Sequence, residues 1–383
     1  MKLSELAVIS AGQGAPQGES AYGSEGIPFI KAGDLASLLA GKKESEIQHV
    51  NESVAKKHKL KLYPAGSILF AKSGMSCMKG YVYKTENPCY VVSHLAIISP
   101  TRCNADFLKY YFQFHKPNSL VKDAAYPSIS LADIGEMEIN VPSLSKQQEI
   151  VAALENITEL IAMRKEQLAK LDQLVKSRFN ELFGDPVTNE KNWARLTLGD
   201  ICEIGSSKRV FEKDYVPKGV PFFRTKEIVE LSKGNPISTE LFITEEHFEE
   251  LRKIYGAPKK DDLLISAVGT IGTIWIVSGD FEFYFKDGNL IQIKSSPNFN
   301  SIFMKYLLDE LIANYKKEMS TGTAYSALTI AGLKKMLVYD VPLFLQEQFA
   351  AFVEQTDKSK LAIQQSLDKL ETLKKSLMQE YFG

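Results

Sequence analysis

Short runs of β-branched and aromatic residues, flanked by turn residues, recur along the chain and predict β-strands. These runs are IPFIKA (27–32), SILFAK (67–72), YVVSHLAII (90–98), DLLISA (262–267), TIWIVS (273–278) and LIQIKS (290–295). In two other segments, 105–114 and 302–317, apolar residues recur every three or four positions, which is the period of a helix packed on one face. The pattern therefore predicts globular parts of mixed α+β class.

Two longer segments have apolar residues at alternating spacings of three and four, which is typical of the seam of a coiled coil. The seam positions are Leu154, Ile157, Ile161, Leu168, Leu171 and Val175 in the first segment and Ile363, Leu367, Leu370 and Leu377 in the second. A helix of about 40 residues, as each segment would form, is roughly 60 Å long. Gly184 and Gly383 suit the C-terminal ends of the two helices.

The start of the first long helix is predicted from a capping box. Ser145 follows Pro142 closely and has Gln148 three residues after it, so both side chains would bond backbone N–H groups of the first turn. In the second segment Leu345 replaces the serine, so we expect a weaker cap there.

The whole chain is an internal repeat. KLDQLVKSRFNELFG (170–184) matches KLETLKKSLMQEYFG (369–383) at an offset of 199. GIPFIKAGDL (26–35) matches GVPFFRTKEI (219–228) at an offset of 193, and GSILFAKSGMSC (66–77) matches DDLLISAVGTIG (261–272) at 195. Repeats of this kind indicate a duplicated structural unit. The slow drift of the offset is expected when small insertions accumulate in loops.

The repeat predicts four segments in the order globular part, long helix, globular part, long helix. We place them at 1–142, 143–184, 185–341 and 342–383. If a pseudo-two-fold axis relates the two globular parts, the long helices run antiparallel and form a coiled coil. The predicted fold is therefore α+β, with two related globular domains joined by two long antiparallel helices.

Composition describes an ordinary globular protein. Apolar residues make up 44% and charged residues 24% of the chain, and the formal net charge is −1 with a pI of about 6.6, so the chain has no overall basic footprint. No apolar run is long enough to span a bilayer, and MKLSELAVIS (1–10) lacks the apolar core of a signal peptide. We therefore expect a cytoplasmic protein without membrane contact. The four cysteines show no metal-binding spacing and are interpreted as reduced thiols.

Motifs that would indicate catalysis are weak. NPCY (87–90) resembles the Asn/Asp-Pro-Pro-Tyr/Phe loop of adenine methyltransferases, but Cys89 replaces the second proline and no glycine motif for S-adenosylmethionine follows a suitable strand. The second half has no counterpart to this stretch, so we interpret it as a turn. No GxxxxGK[ST] phosphate loop is present. The five histidines are scattered, and His94 aligns with Asn289. We predict that the chain is not itself an enzyme and binds no metal.

The loops of the two halves carry small, polar and basic residues that suit contacts to phosphates and base edges. AKSGMSCMKG (71–80) aligns with SAVGTIGTIW (266–275), and KDAAYPSIS (122–130) corresponds to STGTAYSALT (320–329). The residues predicted to bind DNA are Lys31, Lys72, Ser73, Ser76, Lys79, Tyr126, Ser128, Lys208, Arg209, Arg224, Lys226, Thr270, Thr273, Thr323 and Tyr325. For any one of them, an ordinary solvated loop is an equally good interpretation. The framework agrees between the halves while the loops differ, which suggests two recognition targets held at a fixed spacing.

With these features together, the chain resembles the specificity subunits of type I restriction–modification systems over essentially its whole length. The resemblance rests on the order of globular parts and helices, on VPSLSKQQEIVAAL (141–154) leading into a helix that ends in NELFGDP (180–186), and on the paired openings IPFIKAGDL (27–35) and VPFFRTKEI (220–228). The second copy departs at Gln346–Gln348, where QEQ replaces QQE.

The resemblance implies a non-catalytic subunit whose two globular parts are target recognition domains. Each would read one half of an asymmetric, bipartite site in double-stranded DNA. The helix pair would set the spacing and dock two adenine-N6 methyltransferase subunits, and restriction subunits with motor activity would join them. The cofactors S-adenosylmethionine, ATP and Mg²⁺ are expected on those partners and not on this chain.

Two other functions remain open from the residues. A duplicated coiled-coil scaffold that joins protein partners without DNA recognition would fit the near-neutral charge. A methyltransferase that uses NPCY would have to bind S-adenosylmethionine by itself.

Overall fold

The structure, a computed structural model, describes residues 1–18, 21–279, 281–320 and 327–383, with their side chains except those of residues 318–320. The chain divides into two compact units. Unit 1 consists of Met1–Lys165 and Gln365–Gly383, and unit 2 consists of Glu166–Gln364.

Among its described residues, unit 1 contains two small sheets and four short α-helices, besides short 3-10 helices such as Met75–Lys79. Its strands are β1 (Ala7–Ala11), β2 (Ile27–Ile30), β3 (His49–Val50), β4 (Ile68–Ala71), β5 (Tyr83–Lys84), β6 (Tyr90–Val91) and β7 (Leu95–Pro100). The short helices are α1 (Asp34–Leu39), α2 (Glu52–Lys57), α3 (Ala105–Phe114) and α4 (Leu131–Gly135), and α5 (Leu144–Phe183) begins in this unit. One sheet has the antiparallel order β1-β7-β4-β5. The other has the order β3-β2-β6, in which β2 is antiparallel to β3 and parallel to β6.

Unit 2 repeats this arrangement and adds a two-stranded sheet. Its strands are β8 (Arg195–Thr197), β9 (Ile204–Gly205), β10 (Val220–Phe223), β11 (Phe242–Ile243), β12 (Leu263–Ser266), β13 (Ile274–Ile276), β14 (Tyr284–Phe285), β15 (Leu290–Ile293) and β16 (Leu337–Tyr339). Its helices are α6 (Leu198–Ile201), α7 (Thr225–Ser232), α8 (Glu245–Tyr255), α9 (Ser301–Ser320) and α10 (Ile330–Lys335), and α11 (Leu343–Phe382) begins here. The sheet orders are β13-β12-β15-β9, β11-β10-β14 and β16-β8.

The strand pairing shows that the sequence repeat is a structural repeat. Ile68 of β4 lies opposite Ile98 of β7, and Leu263 of β12 lies opposite Ile293 of β15, so both partners are shifted by 195 residues. The parallel pairs β2–β6 and β10–β14 also correspond. The predicted α+β duplication is confirmed, including the helix at Ala105–Phe114.

One inner strand of each main sheet, β4 in unit 1 and β12 in unit 2, is buried on both faces, as its uninterrupted apolar run requires. In β4, Ile68 and Phe70 face a core that contains α3 and the ends of both long helices, while Leu69 and Ala71 face the core of the β3-β2-β6 sheet. In unit 2, β12 is divided in the same way between two cores. Each main sheet is therefore covered on both sides.

One predicted strand is wrong in its extent. YVVSHLAII forms two strands, β6 and β7, which belong to different sheets and are separated by a turn at residues 93–94. The run is apolar on both sides of the turn because both strands are buried. Periodicity therefore gave no sign of the break.

The two long helices pack together and are antiparallel in each unit. In unit 1 the first turns of α5 share a core with Met378 and Phe382 of α11, and farther along α5 the Lys165 ammonium forms an ion pair with Glu371 (2.9 Å). In unit 2 the ring of Phe179 packs against that of Phe349, with centroids 5.4 Å apart, and Lys360 pairs with Asp172 (2.6 Å). The predicted antiparallel helices are confirmed.

The predicted seam positions are all turned inward. Leu154, Ile157, Val175 and Leu367 are buried, and Ile161, Leu168, Leu171, Ile363, Leu370 and Leu377 are half-buried. The sequence did not single out the last buried positions of each helix, which are the corresponding pairs Phe179–Phe183 and Met378–Phe382. At these ends each helix packs against a globular core, so the buried face of the helix differs from the face that forms the coiled-coil seam.

The predicted capping box at the start of α5 is wrong. The cap is Ser143, whose Oγ accepts from the Lys146 N–H (3.3 Å), while Ser145 is already inside the helix. The key residue of this turn is the buried Gln147. Its Oε1 accepts from the Asn104 N–H (2.8 Å) and its Nε2 donates to the Pro142 carbonyl (2.8 Å).

The same pair of bonds recurs at the start of α11. Gln346 is buried, accepts from the Asn300 N–H (2.8 Å) and donates to the Val341 carbonyl (2.7 Å). The change from QQE to QEQ therefore leaves this glutamine in place, because Gln147 and Gln346 correspond at the offset of 199.

In the part of the chain that the structure describes, no helix is long and apolar enough to cross a membrane.

Candidate nucleic-acid interface

In unit 1 the tertiary structure brings two of the predicted DNA-binding loops together. Ser73 and Ser128 form an isolated antiparallel bridge. On one side of it the Ile129 N–H donates to the Lys72 carbonyl (2.8 Å), and on the other the Gly74 N–H donates to the Pro127 carbonyl (2.9 Å). Loops that lie about 50 residues apart along the chain thus form one surface.

The connection between β6 and β7 joins this surface to the end of β2. The Val92 N–H donates to the Ile30 carbonyl (3.0 Å), and the Lys72 N–H donates to the His94 carbonyl (2.9 Å). Lys31, which follows β2, and Lys72, which follows β4, therefore both lie beside residues 92–94. We call residues 31, 72–81, 92–94 and 122–130 the loop edge of unit 1.

The predicted residues on this edge are accessible from solvent. Tyr126, Ser128 and Lys79 are exposed, and Lys31, Lys72, Ser73 and Ser76 are half-buried. Lys72 and Lys79 form no ion pair with any residue that the structure describes. Lys31 is held differently, since its Nζ donates to Gln48 Oε1 (2.6 Å) and lies 4.2 Å from the centre of the Tyr22 ring.

His94 is a polar residue of the edge that the sequence did not select. It is exposed, and its Nδ1 lies 2.8 Å from Ser73 Oγ, so the imidazole is held beside the two loops. His94 directly precedes β7, and the repeat does not mark it, because the aligned residue of the second half is Asn289. An imidazole at this place could contact a phosphate or a base edge.

Unit 2 builds the equivalent edge with three corresponding backbone bonds among its described residues. The Ala267 N–H donates to the Asn289 carbonyl (2.8 Å), and the Leu328 N–H donates to the Ala267 carbonyl (3.2 Å). The Lys286 N–H donates to the Phe223 carbonyl (2.9 Å). We call residues 208–209, 224–226, 267–273 and 286–289 the loop edge of unit 2.

The predicted threonines of this edge have different surroundings. Thr270 is exposed, while Thr273 is half-buried and its Oγ1 donates to the Thr270 carbonyl (3.1 Å). The loop rests on α9, since Lys316 Nζ donates to the Ile271 carbonyl (2.9 Å). Thr323 and Tyr325 lie outside the described residues.

Most predicted cations of unit 2 are ion-paired. Arg224 bonds the buried Glu227 and the exposed Glu240 (both 2.8 Å), and these hydrogen bonds raise the pKa of its guanidinium. Lys226 also contacts Glu240 (3.3 Å), and the two cations lower the pKa of that carboxyl group. Arg209 pairs with Asp287 (3.1 Å). Only Lys208 among them has no ionic partner within the described residues, and its Nζ lies 5.4 Å from the Tyr255 ring.

The comparison with known proteins settles the family. The sequence matches the family described as the type I restriction modification DNA specificity domain over residues 1–173 and again over residues 190–374. The chain belongs to the specificity subunits of type I restriction–modification systems.

Two relatives match this specificity subunit over most of their length. It is 24% identical over 391 residues to S.HindORF215P of Haemophilus influenzae, assigned as a type I restriction enzyme specificity subunit, with 98% of this chain and 94% of that protein covered. It is 27% identical over 380 residues to the MjaIX specificity subunit of Methanocaldococcus jannaschii, with 92% and 85% covered.

Solved structures of this class share the fold. The crystal structure of the type I S subunit from M. genitalium superposes with a TM-score of 0.60 at 15% identity, covering 100% of this chain and 95% of that one. A chain from a structural study of complex assembly and conformational transition in a type I system gives 0.61 at 17% identity, covering 100% and 96%.

NPCY is explained by packing. The buried Glu44 carboxylate accepts from the Glu86 N–H (2.8 Å), the Asn87 N–H (2.9 Å), the Asn87 side-chain amide (3.0 Å) and the Tyr83 hydroxyl (3.0 Å). Cys89 is fully buried, and burial, with a smaller contribution from Glu44, raises the pKa of its thiol to about 12. The Asn87 side chain is therefore bonded within the fold, which agrees with the interpretation of NPCY as a turn.

The cysteines of this specificity subunit are free thiols, as the sequence predicts. Burial raises the pKa of Cys202 to about 12 and that of Cys103 to about 11, which keeps both protonated near neutral pH. Within the described ranges, no group of three or more His, Cys, Asp or Glu side chains could hold a metal ion.

Proposed function

We propose that this specificity subunit reads an asymmetric, bipartite site in double-stranded DNA, with one half-site for each unit. The observation that carries the proposal is the pair of loop edges. They share the backbone bonds that hold the loops but differ in their side chains, since Lys72 corresponds to Ala267 and His94 to Asn289. One frame with two sets of side chains suits two different DNA sequences.

The helix pair would set the number of base pairs between the half-sites. Both α5 and α11 continue from one unit into the other without a break, and each is 40 residues long. A continuous helix has a constant rise per residue, so it transmits a fixed length. A linker of loop residues would not give a defined spacing.

The same helices would dock two adenine-N6 methyltransferase subunits. Apolar side chains on their outer surface remain exposed, among them Leu160, Met163, Leu174, Leu361 and Leu373. Those subunits would bind S-adenosylmethionine and extrude the target adenine. Restriction subunits with ATP and Mg²⁺ would complete the complex. This chain would act without a catalytic step of its own, in the cytoplasm, where the DNA lies.

The proposal predicts how DNA affinity is divided between subunits. Arg209, Arg224 and Lys226 are paired with carboxylates, so three of the four cations predicted to bind DNA in unit 2 are already partly neutralised. We expect weak, salt-sensitive binding by the isolated chain and tight binding only in the complex, where the methyltransferase subunits would supply further phosphate contacts.

The test is a single-molecule map of N6-methyladenine in the source cell, with the gene intact, deleted and restored. Loss of methylation at one split, asymmetric motif on deletion, and its return on restoration, is the expected result. If no motif changes while the methyltransferase subunit is present and active, the DNA-reading proposal fails.

The ion pairs of unit 2 also favour the scaffold alternative, because they reduce the charge available to DNA. The variant Lys72→Glu with Lys79→Glu separates the two functions, since both side chains are accessible and neither is ion-paired within the described part of the chain. Loss of motif methylation with intact assembly supports recognition, and normal methylation supports the scaffold. Arg224→Glu is less suitable, because it would leave the buried Glu227 beside a second carboxylate.

A further inference from the structure

The loop edge of unit 1 exposes four large apolar side chains, Met75, Met78, Tyr81 and Tyr126, of which Met75 and Tyr126 are by far the most exposed. Tyr126 is 81% exposed and Met75 is 69% exposed. Met75 follows Ser73 by two residues and Tyr126 precedes Ser128 by two residues, so each lies close to the Ser73–Ser128 bridge along its own loop. Two exposed apolar residues therefore lie near the same bridge, one on each of the adjoining loops.

The backbone beneath this pair is held firmly. Pro127 and Ile129 are buried on one loop, and Cys77 is buried on the other. The short helix Met75–Lys79 is also tied to the neighbouring segment, because the Asn118 side chain donates to the Met78 carbonyl (3.3 Å). The exposure of Met75 and Tyr126 is thus set by the fold.

The charge around the pair matches a polyanion. Lys72 precedes Met75 by three residues and Lys79 follows it by four, and neither is ion-paired among the described residues. Apolar side chains between cations are found where proteins enter a base-pair step, because unstacked bases offer apolar faces while phosphates lie on either side. The repeat keeps a tyrosine at this place, since Tyr126 aligns with Tyr325 although the residues after them differ.

We propose that Met75 and Tyr126 form an apolar wedge that enters the half-site read by unit 1 and unstacks one base-pair step there. The inference rests on the proposed DNA-reading function. Unit 1 would then recognise part of its half-site by how easily that step deforms, in addition to contacts with base edges. Pyrimidine–purine steps, which unstack most easily, are the expected target.

The test uses the complex of this chain with its methyltransferase subunits and a duplex that carries the methylated motif. The fluorescent base 2-aminopurine replaces, one at a time, bases of the unit 1 half-site other than the methylated adenine. We expect fluorescence to rise at one step on binding, and this rise to be lost with Tyr126→Ala. The same variant should weaken binding by about 5- to 140-fold, the range for loss of one base–aromatic stacking contact.

Three controls make the outcome specific. Tyr126→Phe keeps the ring and should bind and unstack normally, whereas loss of both would indicate a hydrogen bond from the hydroxyl and overturn the wedge. Leu39→Ala removes an exposed apolar residue of the same unit, on α1, and should have no effect. A mismatch at the unstacked step should tighten binding by the native complex but not by the Tyr126→Ala complex.

The wedge and the proposed function fail in different ways. If Tyr126→Ala binds and methylates normally and no step is unstacked, the wedge is wrong while the motif still depends on this chain. If Tyr126→Ala only prevents assembly with the methyltransferase subunits, the surface is a protein contact and the wedge is again wrong. If no motif depends on the chain, the DNA-reading function itself fails.

Discussion

At the scale of single residues, Glu44 shows how a buried carboxylate holds a loop. One of its oxygens accepts from the Tyr83 hydroxyl and the Glu86 N–H, and the other accepts from the backbone and side chain of Asn87. A carboxylate can satisfy four donors at once, which a neutral amide cannot. The bend that contains NPCY therefore depends on a residue more than 40 positions earlier.

We predict that Glu44→Gln destabilises unit 1 by about 2–4 kcal/mol, because an amide group would leave two buried donors facing another donor. Faster hydrogen exchange in β5 and β6, measured by mass spectrometry, is the readout. Glu25→Gln, at an exposed site of the same unit, is the matched control. Equal exchange in the two variants would contradict the structural role of Glu44.

At the scale of elements, a buried glutamine joins the start of each long helix to the start of an earlier helix, α3 in unit 1 and α9 in unit 2. Gln147 bonds the Asn104 N–H, and the Asn104 side chain in turn caps α3. Gln346 and Asn300 repeat this arrangement at α9. The direction in which a long helix leaves its globular part is thereby tied to the main sheet, on which α3 packs.

We predict that Gln147→Ala lowers the free energy of unfolding of unit 1 by about 2–4 kcal/mol, since it leaves a buried N–H and a carbonyl unbonded. Gln148→Ala, one residue farther along on the exposed side of α5, should be nearly silent. Two measurements separate the variants. Chemical denaturation gives the free energy of unfolding, and hydrogen exchange reports on α3 and on the first turns of α5. Similar behaviour of both would argue against the glutamine link.

At the scale of the whole molecule, each unit is completed by chain from the other half of the sequence. The last turn of α11 belongs to unit 1, where the Phe382 ring packs against Phe107 with centroids 5.2 Å apart and its carbonyl lies 2.8 Å from His115 Nε2. The end of α5 belongs to unit 2, where Phe183 packs against Phe303 at 4.7 Å. Phe183 and Phe382 correspond at the offset of 199.

We predict that alanine substitutions of Phe382 and Phe183 destabilise different units. Phe382→Ala should loosen unit 1 and Phe183→Ala unit 2, each by about 3–5 kcal/mol, the usual cost of removing a buried phenylalanine. Hydrogen exchange should rise in α3 for the first variant and in α9 for the second. Glu380→Ala, which is exposed, is the control. A rise in the same unit for both variants would contradict this division.

Much of the fold was predicted from periodicity and from the internal repeat. Strands β4, β7, β12, β13 and β15 of the two main sheets, α3, α9 and both long helices were predicted from local spacing, because a buried face imposes a period on neighbouring residues. The outer strands β1, β5 and β9 were not predicted. Two of the errors arose where a contact distant in sequence decided the outcome. The turn inside YVVSHLAII and the change of buried face at the ends of α5 and α11 both depend on which core the residues reach.

The candidate site was predictable only as a set of loops. The sequence selected Ser73 and Ser128 but gave no sign that they pair, and it treated Arg224 as an available cation although Glu240 lies beside it. Whether these loops contact DNA is still a prediction. Charge and hydrogen-bond partners of loop residues come from parts of the chain far away in sequence, and such pairs leave no periodic signal.

By itself, then, the sequence determined the duplication, part of the secondary structure, the two long helices and the family, because these leave a signal in local spacing or in the comparison of one half with the other. Only the tertiary structure decided which loop residues lie together, which cations are neutralised and which apolar residues stay exposed. The reason is physical: a side chain's accessibility depends on everything packed around it, and in unit 1 that includes chain from both ends of the sequence.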